Sequence, residues 1–131
     1  MIEVVCGVIR DGRGRYLACR RPQGKHLGGL WEFPGGKMEA GEEARQALVR
    51  ELEEELGIVV ETGEALTPVE WDYGSRAIRL WPFICSAGEM EPVRLEHDEL
   101  RWCEVEELAG LNWAPADVPV VRELVGPKPV R

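Results

Sequence analysis

The order of elements in this chain predicts an α+β or α/β sandwich around a mixed sheet, and three observations carry that prediction. An aliphatic, β-branched run from Ile2 to Ile9 is followed by the turn residues Asp11-Gly12-Arg13-Gly14 and by Arg15 to Arg20, so the chain opens with a hairpin. From Glu42 to Leu56, strong helix formers place Ala44, Ala47, Leu48, Leu52 and Leu56 on one side, and Gly57 is suited to close the helix. Several strand-like segments then precede a short closing helix, and helices laid on a sheet make a layered sandwich.

Between hairpin and helix, Pro22 to Gly36 holds five glycines (24, 28, 29, 35 and 36) and Pro34, and reads as loop with a short strand at Leu30 to Phe33. After the helix, Ile58 to Glu61, Leu66 to Asp72, Arg76 to Cys85 and Glu99 to Val105 read as strands. Ala116 to Val125 closes the chain as a helix, with Pro119 required to fall in its first turn because it lacks an N–H. Neither repeat nor linker interrupts the pattern, so residues 1–131 are expected to form one domain.

A chain of 131 residues with 44% hydrophobic content can bury a core without staples and is not a disordered polymer. Its 16 basic and 24 acidic residues give a net charge of −8. That balance disfavours nucleic-acid polymers, which need Lys and Arg to replace condensed counterions, and anionic membrane faces. A phosphorylated small molecule stays compatible if cations neutralise both sides. Cys6, Cys19, Cys85 and Cys103 show no CxxC or metal spacing and are expected as buried, reduced thiols. The N-terminal apolar run is too short for a signal peptide, and no stretch approaches the roughly 20 apolar residues of a membrane span. Together these point to a soluble cytoplasmic protein.

The predicted helix carries half of the net charge. Six glutamates (42, 43, 51, 53, 54 and 55) stand against Arg45 and Arg50, a balance of −4 within a total of −8. A solvated acidic face is one reading. At about 100° per residue, however, Glu51, Glu54 and Glu55 share an arc of about 100° with Ala44 and Ala47. Like charges at i, i+3 and i+4 repel, and a hard divalent cation such as Mg²⁺ or Mn²⁺ relieves that repulsion with the oxygen ligands it prefers.

Gly36, five residues, Glu42, seven residues and then Arg50-Glu51-Leu52-Glu53-Glu54-Glu55-Leu56-Gly57-Ile58 resembles the complete Nudix box, G-x5-E-x7-R-E-U-x-E-E-x-G-U with U aliphatic. Every fixed position matches. Arg20-Arg21-Pro22 and Gly29-Leu30-Trp31-Glu32-Phe33-Pro34-Gly35-Gly36-Lys37 are similar to the MutT branch of that family, and the likeness continues through Glu96 and Trp102 to Pro115-Ala116-Asp117. The resemblance implies a Nudix-type α/β/α sandwich with a mixed β-sheet, and hydrolysis of a nucleoside diphosphate linked to another moiety. For the MutT branch it implies cleavage of a nucleoside triphosphate to the monophosphate and pyrophosphate with Mg²⁺, or Mn²⁺ as substitute. By the same resemblance Glu51, Glu54, Glu55, the Gly35 carbonyl and Glu96 would bind the metal. Glu51, oriented by Arg50, would activate water, with Glu54 beside it, and Glu42 would support the loop before the helix.

Substrate contacts follow the same likeness: Arg20, Arg21, Lys37 and Arg76 to phosphate or nucleotide, and Glu32 and Phe33 to sugar and base. Of the five tryptophans only Trp31 lies in the presumed binding loop, the others reading as core. His26 and His97 have no evident partners and read as surface residues. Asp117 would contact the base, or would simply cap the final helix. Taken as ionised, its carboxylate only accepts hydrogen bonds, which suits the cytosine N4 amine or the guanine N1/N2 edge, disfavours uracil, and departs from the asparagine typical of bacterial 8-oxoguanine readers. The expected substrates are therefore CTP, dCTP or C5-modified dCTP, with 8-oxo-dGTP as the alternative. An ADP-ribose-type hydrolase or a non-catalytic nucleotide-binding domain remains a further alternative. The expected partner is a small nucleotide, not a nucleic-acid polymer or a membrane, and the chain would be a monomer or homodimer.

Overall fold

The computed structural model describes residues 1–126; positions 127–131 of the expected domain lie outside the described residues. Strands β1 (Ile2–Arg10) and β2 (Tyr16–Arg20) form the opening hairpin. Asp11 closes its turn: the backbone N–H groups of Arg13 and Arg15 each donate to Oδ1 at 2.9 Å, and Arg15 Nε donates to Oδ2 at 2.7 Å. Next come β3 (Trp31–Glu32), β4 (Gly35–Lys37) and the helix α1 (Ala44–Leu56). Strands β5 (Glu61–Ala65), β6 (Val69–Asp72), β7 (Ala77–Ser86) and β8 (Glu99–Cys103) follow, then the short helix α2 (Val105–Leu108), a 3₁₀ turn at Pro115–Asp117 and the helix α3 (Val118–Val125).

One mixed sheet holds these strands together. β1 runs parallel to β7 in unbroken register from Ile2↔Ile78 to Arg10↔Ser86, and β7 also pairs antiparallel with β5 and β6. β1 pairs with β2 at Arg10↔Tyr16, but takes β4 along Val4–Cys6 instead. β2 continues on to β3 and β8. The sheet therefore divides at β1, and the chain from Phe33 to Lys37 lies in the division.

Alternation along β1 determines the layers. Val5 and Ile9 pack with Ala47, Leu48, Leu52 and Leu56 of α1, while Cys6 and Val8 pack with Leu108 of α2 and Val120 and Val121 of α3. Gly7 points toward α1, where a Cβ would stand 2.8 Å from Leu52 Cδ1, so its missing side chain lets the helix lie close to the sheet. The outcome is the expected α/β/α arrangement. All four cysteines are buried and free, and burial pushes Cys85 up to about 12 and Cys103 up to about 11. No helix among the described residues is long and apolar enough to cross a membrane.

Several expected boundaries move. The strand expected at Ile58–Glu61 begins only at Glu61; Ile58 and Val60 are buried by side-chain packing without joining a ladder. The strand expected from Leu66 starts at Val69, after Pro68, which has no N–H to donate. The strand expected to reach Val105 ends at Cys103, because the backbone N–H of Glu104 donates to Glu107 Oε1 at 2.8 Å and starts α2. The closing helix divides into the 3₁₀ turn and α3, with Pro119 in the first turn of α3. Trp71, read as core, is 40% exposed on the outlying β6.

Candidate functional site

The loop from β4 into α1 converges on Arg50. Its Nε and Nη2 donate to the two oxygens of Glu42 at 2.8 and 2.9 Å, Nη1 donates to Glu51 Oε1 at 3.0 Å, and Nη2 donates to the Lys37 carbonyl at 3.2 Å. Glu42 Oε1 also accepts from the backbone N–H of Glu39 at 2.8 Å, so one guanidinium and one carboxylate close the loop onto the helix. Hydrogen bonds from Arg50 hold Glu42 down at about 2, and the one to Glu42 is the chief cause of the raised Arg50 pKa.

This brace aims α1 at β4. The Glu51 carboxylate lies against Gly36, where any Cβ would overlap it. Burial raises the Glu51 pKa despite the opposing effect of Arg50. One turn on, Glu55 is 9% exposed, accepts from the Gly35 N–H, and keeps Oε2 buried without a partner. Burial, then the charges of Glu32, Glu96 and Glu51, pushes Glu55 up to about 9. Glu54 is exposed, with Oε2 3.4 Å from Arg50 Nη1. Glu96 is also exposed, on the segment before β8, and its charge reaches both Glu51 and Glu55.

Among the described residues no three His, Cys, Asp or Glu side chains form a ready metal cage. The donor set nevertheless fits a hard divalent cation. It consists of carboxylate oxygens, neighbouring carboxylate charges add to the raised pKa of Glu51 and Glu55, and one buried oxygen has no partner. Substrate phosphates would supply further oxygens, as is usual for Mg²⁺.

From Gly35 and Glu55 a single cleft of about 200 Å³ runs to Asp117, lined also by Arg21, Glu32, Phe33, Lys37, Tyr73 and Arg76. Asp117 is 6% exposed; burial, then the charge of Glu32, raises its pKa well above the usual carboxylate range, while a hydrogen bond from the Phe33 N–H and the charge of Arg21 oppose the rise. It occupies the N-cap position of α3 but makes no side-chain capping hydrogen bond, which removes the capping alternative. Its turn is tied to the β6–β7 hairpin by the Ala116 N–H, which donates to the Tyr73 hydroxyl at 3.0 Å.

Not every expected contact reaches this cleft. Arg20 does not line it: Nε donates to Asp98 Oδ1 at 2.7 Å and Nη1 lies 3.2 Å from Glu99 Oε1, because β2 pairs with β8 at Arg20↔Glu99. Its charge is spent on that segment. The Phe33 side chain is 3% exposed and stacked on Trp113 at 4.6 Å, so at the cleft Phe33 chiefly offers backbone. Trp31 is buried, with the Arg101 and Arg20 guanidiniums 4.8 and 5.8 Å from its ring centroid. His97, read as a surface residue, is buried, and Nε2 lies 2.8 Å from Glu32 Oε2. His97 and Tyr73 are the residues sequence reasoning missed. Adjacency to Glu96 was the sole signal for the first, and Tyr73 had none.

A model described as the NUDIX domain matches residues 2–124. The CTP pyrophosphohydrolase of Escherichia coli (strain K12) is 41% identical over 134 aligned residues, covering 100% of this chain and 96% of that protein. The 8-oxo-dGTP diphosphatase of the same strain is 33% identical over 123 residues, covering 94% of this chain and 95% of that protein. The solution structure of the E. coli ORF135 protein superposes with a TM-score of 0.82 at 38% identity, covering 100% of this chain and 95% of that one.

Proposed function

The chain belongs to the Nudix hydrolase family, and on that footing we propose that it is a Mg²⁺-dependent nucleoside triphosphate pyrophosphohydrolase directed at cytosine nucleotides: CTP, dCTP or C5-modified dCTP. Family members generally work with a divalent metal ion. The observation that carries the reading is the continuity of one cleft from Gly35 and Glu55 to a buried carboxyl, Asp117. Such a cleft accepts a charged chain at one end and a base at the other.

Glu51, Glu54, Glu55, the Gly35 carbonyl and Glu96 would hold the metal, which when bound neutralises charge on the triphosphate and polarises its oxygens. Glu51 takes the proton of the attacking water, and Arg50 keeps its carboxylate in place at 3.0 Å. The water oxygen bonds to phosphorus, the bridging P–O bond breaks, and pyrophosphate leaves as one unit with the nucleoside monophosphate as second product. Arg21, Lys37 and Arg76 offer positive charge along the cleft. Arg20, which does not line the cleft, is withdrawn from that set.

A specific observation also favours the second reading, 8-oxo-dGTP. Burial and the charge of Glu32 shift Asp117 toward its neutral form. A neutral acid both donates and accepts, as asparagine does. In that form it can pair with cytosine N3 and N4–H, and equally with O6 and N7–H of 8-oxoguanine. Measuring kcat/KM for CTP, dCTP, 5-substituted dCTP and 8-oxo-dGTP, with pyrophosphate scored against orthophosphate, tests both readings. The proposal fails if orthophosphate is released stepwise, and its choice of base reverses if 8-oxo-dGTP is preferred.

A further inference from the structure

We propose that His97 is a positioning residue: it holds the Glu32 carboxylate in the orientation that meets the nucleoside, and so acts on substrate binding rather than on the chemical step. The inference rests on the pyrophosphohydrolase reading and adds a residue to it. Between Ser86 and Glu99 the chain is exposed or half-exposed everywhere except at His97, whose side chain is 3% exposed. A lone buried imidazole in a polar segment needs a partner, since an unpaired polar group away from water is costly. Glu32 is that partner, with Nε2 at 2.8 Å from Oε2, while Nδ1 is buried and unpaired. With a proton on Nε2 the imidazole donates to the carboxylate.

Glu32 is gripped on its other oxygen as well. Arg21 Nη1 donates to Oε1 at 3.2 Å, and Arg21 is itself fixed by donation from Nε to the His26 carbonyl at 2.8 Å. Two donors on two oxygens leave the carboxylate no rotational freedom, yet it lines the cleft within electrostatic range of Asp117 and Glu55. The neighbouring segment does not depend on His97. The Asp98 N–H donates to the Arg20 carbonyl at 3.1 Å, Arg20 Nε donates to Asp98 Oδ1 at 2.7 Å, and Arg94 Nη1 donates to the Asp98 carbonyl at 2.9 Å. These ties keep Glu96 where it is when the His97 bond is lost, so the loss falls on Glu32.

The test compares His97→Leu, His97→Gln and His97→Asn by steady-state kinetics on CTP, and by NMR titration of the metal-free protein with CMP. The Gln amide nitrogen reaches the place of Nε2; the Asn amide occupies that of Nδ1. His97→Leu and His97→Asn should raise KM and the CMP Kd about tenfold with kcat within about twofold, and His97→Gln should stay near wild type. In a Glu32→Gln background, His97→Leu should add nothing further. A fall in kcat at unchanged KM, equal behaviour of Gln and Asn, or additivity with Glu32→Gln overturns the assignment. Should the Leu variant fail to fold, the Gln–Asn contrast still decides. A wild-type protein that releases no pyrophosphate sinks the functional reading instead, and the CMP titration still reports on His97.

Discussion

The two ends of the cleft each bury a carboxyl group whose pKa is raised, and they do so for different ends. Glu55 sits among carboxylates: Glu32, Glu96 and Glu51 add to the effect of burial, and one of its oxygens has no partner. A bound cation would satisfy that oxygen and offset the crowded negative charge. Asp117 is more deeply enclosed, opposed chiefly by Glu32, and already accepts from the Phe33 N–H. A neutral hydrogen-bonding surface satisfies it. On the proposed function, similar titration behaviour would serve a metal site at one end and base recognition at the other.

The largest expected effect breaks the helix end. Replacing Glu51 or Glu54 with Gln should reduce turnover by at least about a hundredfold while far-UV circular dichroism stays unchanged, and excess EDTA should abolish activity. Full activity in either condition would remove the ionic half of the comparison. Next comes the reading end: Asp117→Asn should change discrimination between CTP and 8-oxo-dGTP by about 1–3 kcal/mol in kcat/KM, with little change in metal requirement. An equal loss on every substrate would make Asp117 structural.

A third experiment sharpens the contrast through pH. With its folded pKa near 9 against an ordinary 4.5, Glu55 keeps a proton in the folded state that the unfolded chain releases. Stability of the metal-free protein should therefore fall as pH rises from about 4.5 to about 9. Denaturant melts across that window should show the fall, Glu55→Gln should flatten it, and added Mg²⁺ should oppose it by binding the folded state. The smallest effect concerns the brace. Glu42, held near 2, contributes stability above its ordinary 4.5 that is lost as pH falls toward 2. Glu42→Gln should lower Tm slightly at neutral pH and remove that acid-side slope.

What the sequence determined by itself is the part that short-range geometry dictates. Glu51, Glu54 and Glu55 share a face because helical residues three and four apart are neighbours, and Gly36 meets Glu51 because a short loop joins β4 to α1. Buried cysteines, the opening hairpin and the acidic helix follow from equally local patterns. The tertiary structure decided whatever depends on which strands meet. Arg20 faces Glu99 and Asp98, the latter 78 residues along the chain, instead of a phosphate because β2 pairs with β8. Glu32 and His97, 65 residues apart, meet only after β3 and the segment before β8 are both laid beside β2. Asp117 reads in the sequence as a base contact or as a helix cap, and its burial in the cleft comes only from the Pro115–Asp117 turn being brought to Phe33. Burial of a charged group depends on its neighbours in space, and no spacing along the chain encodes those neighbours.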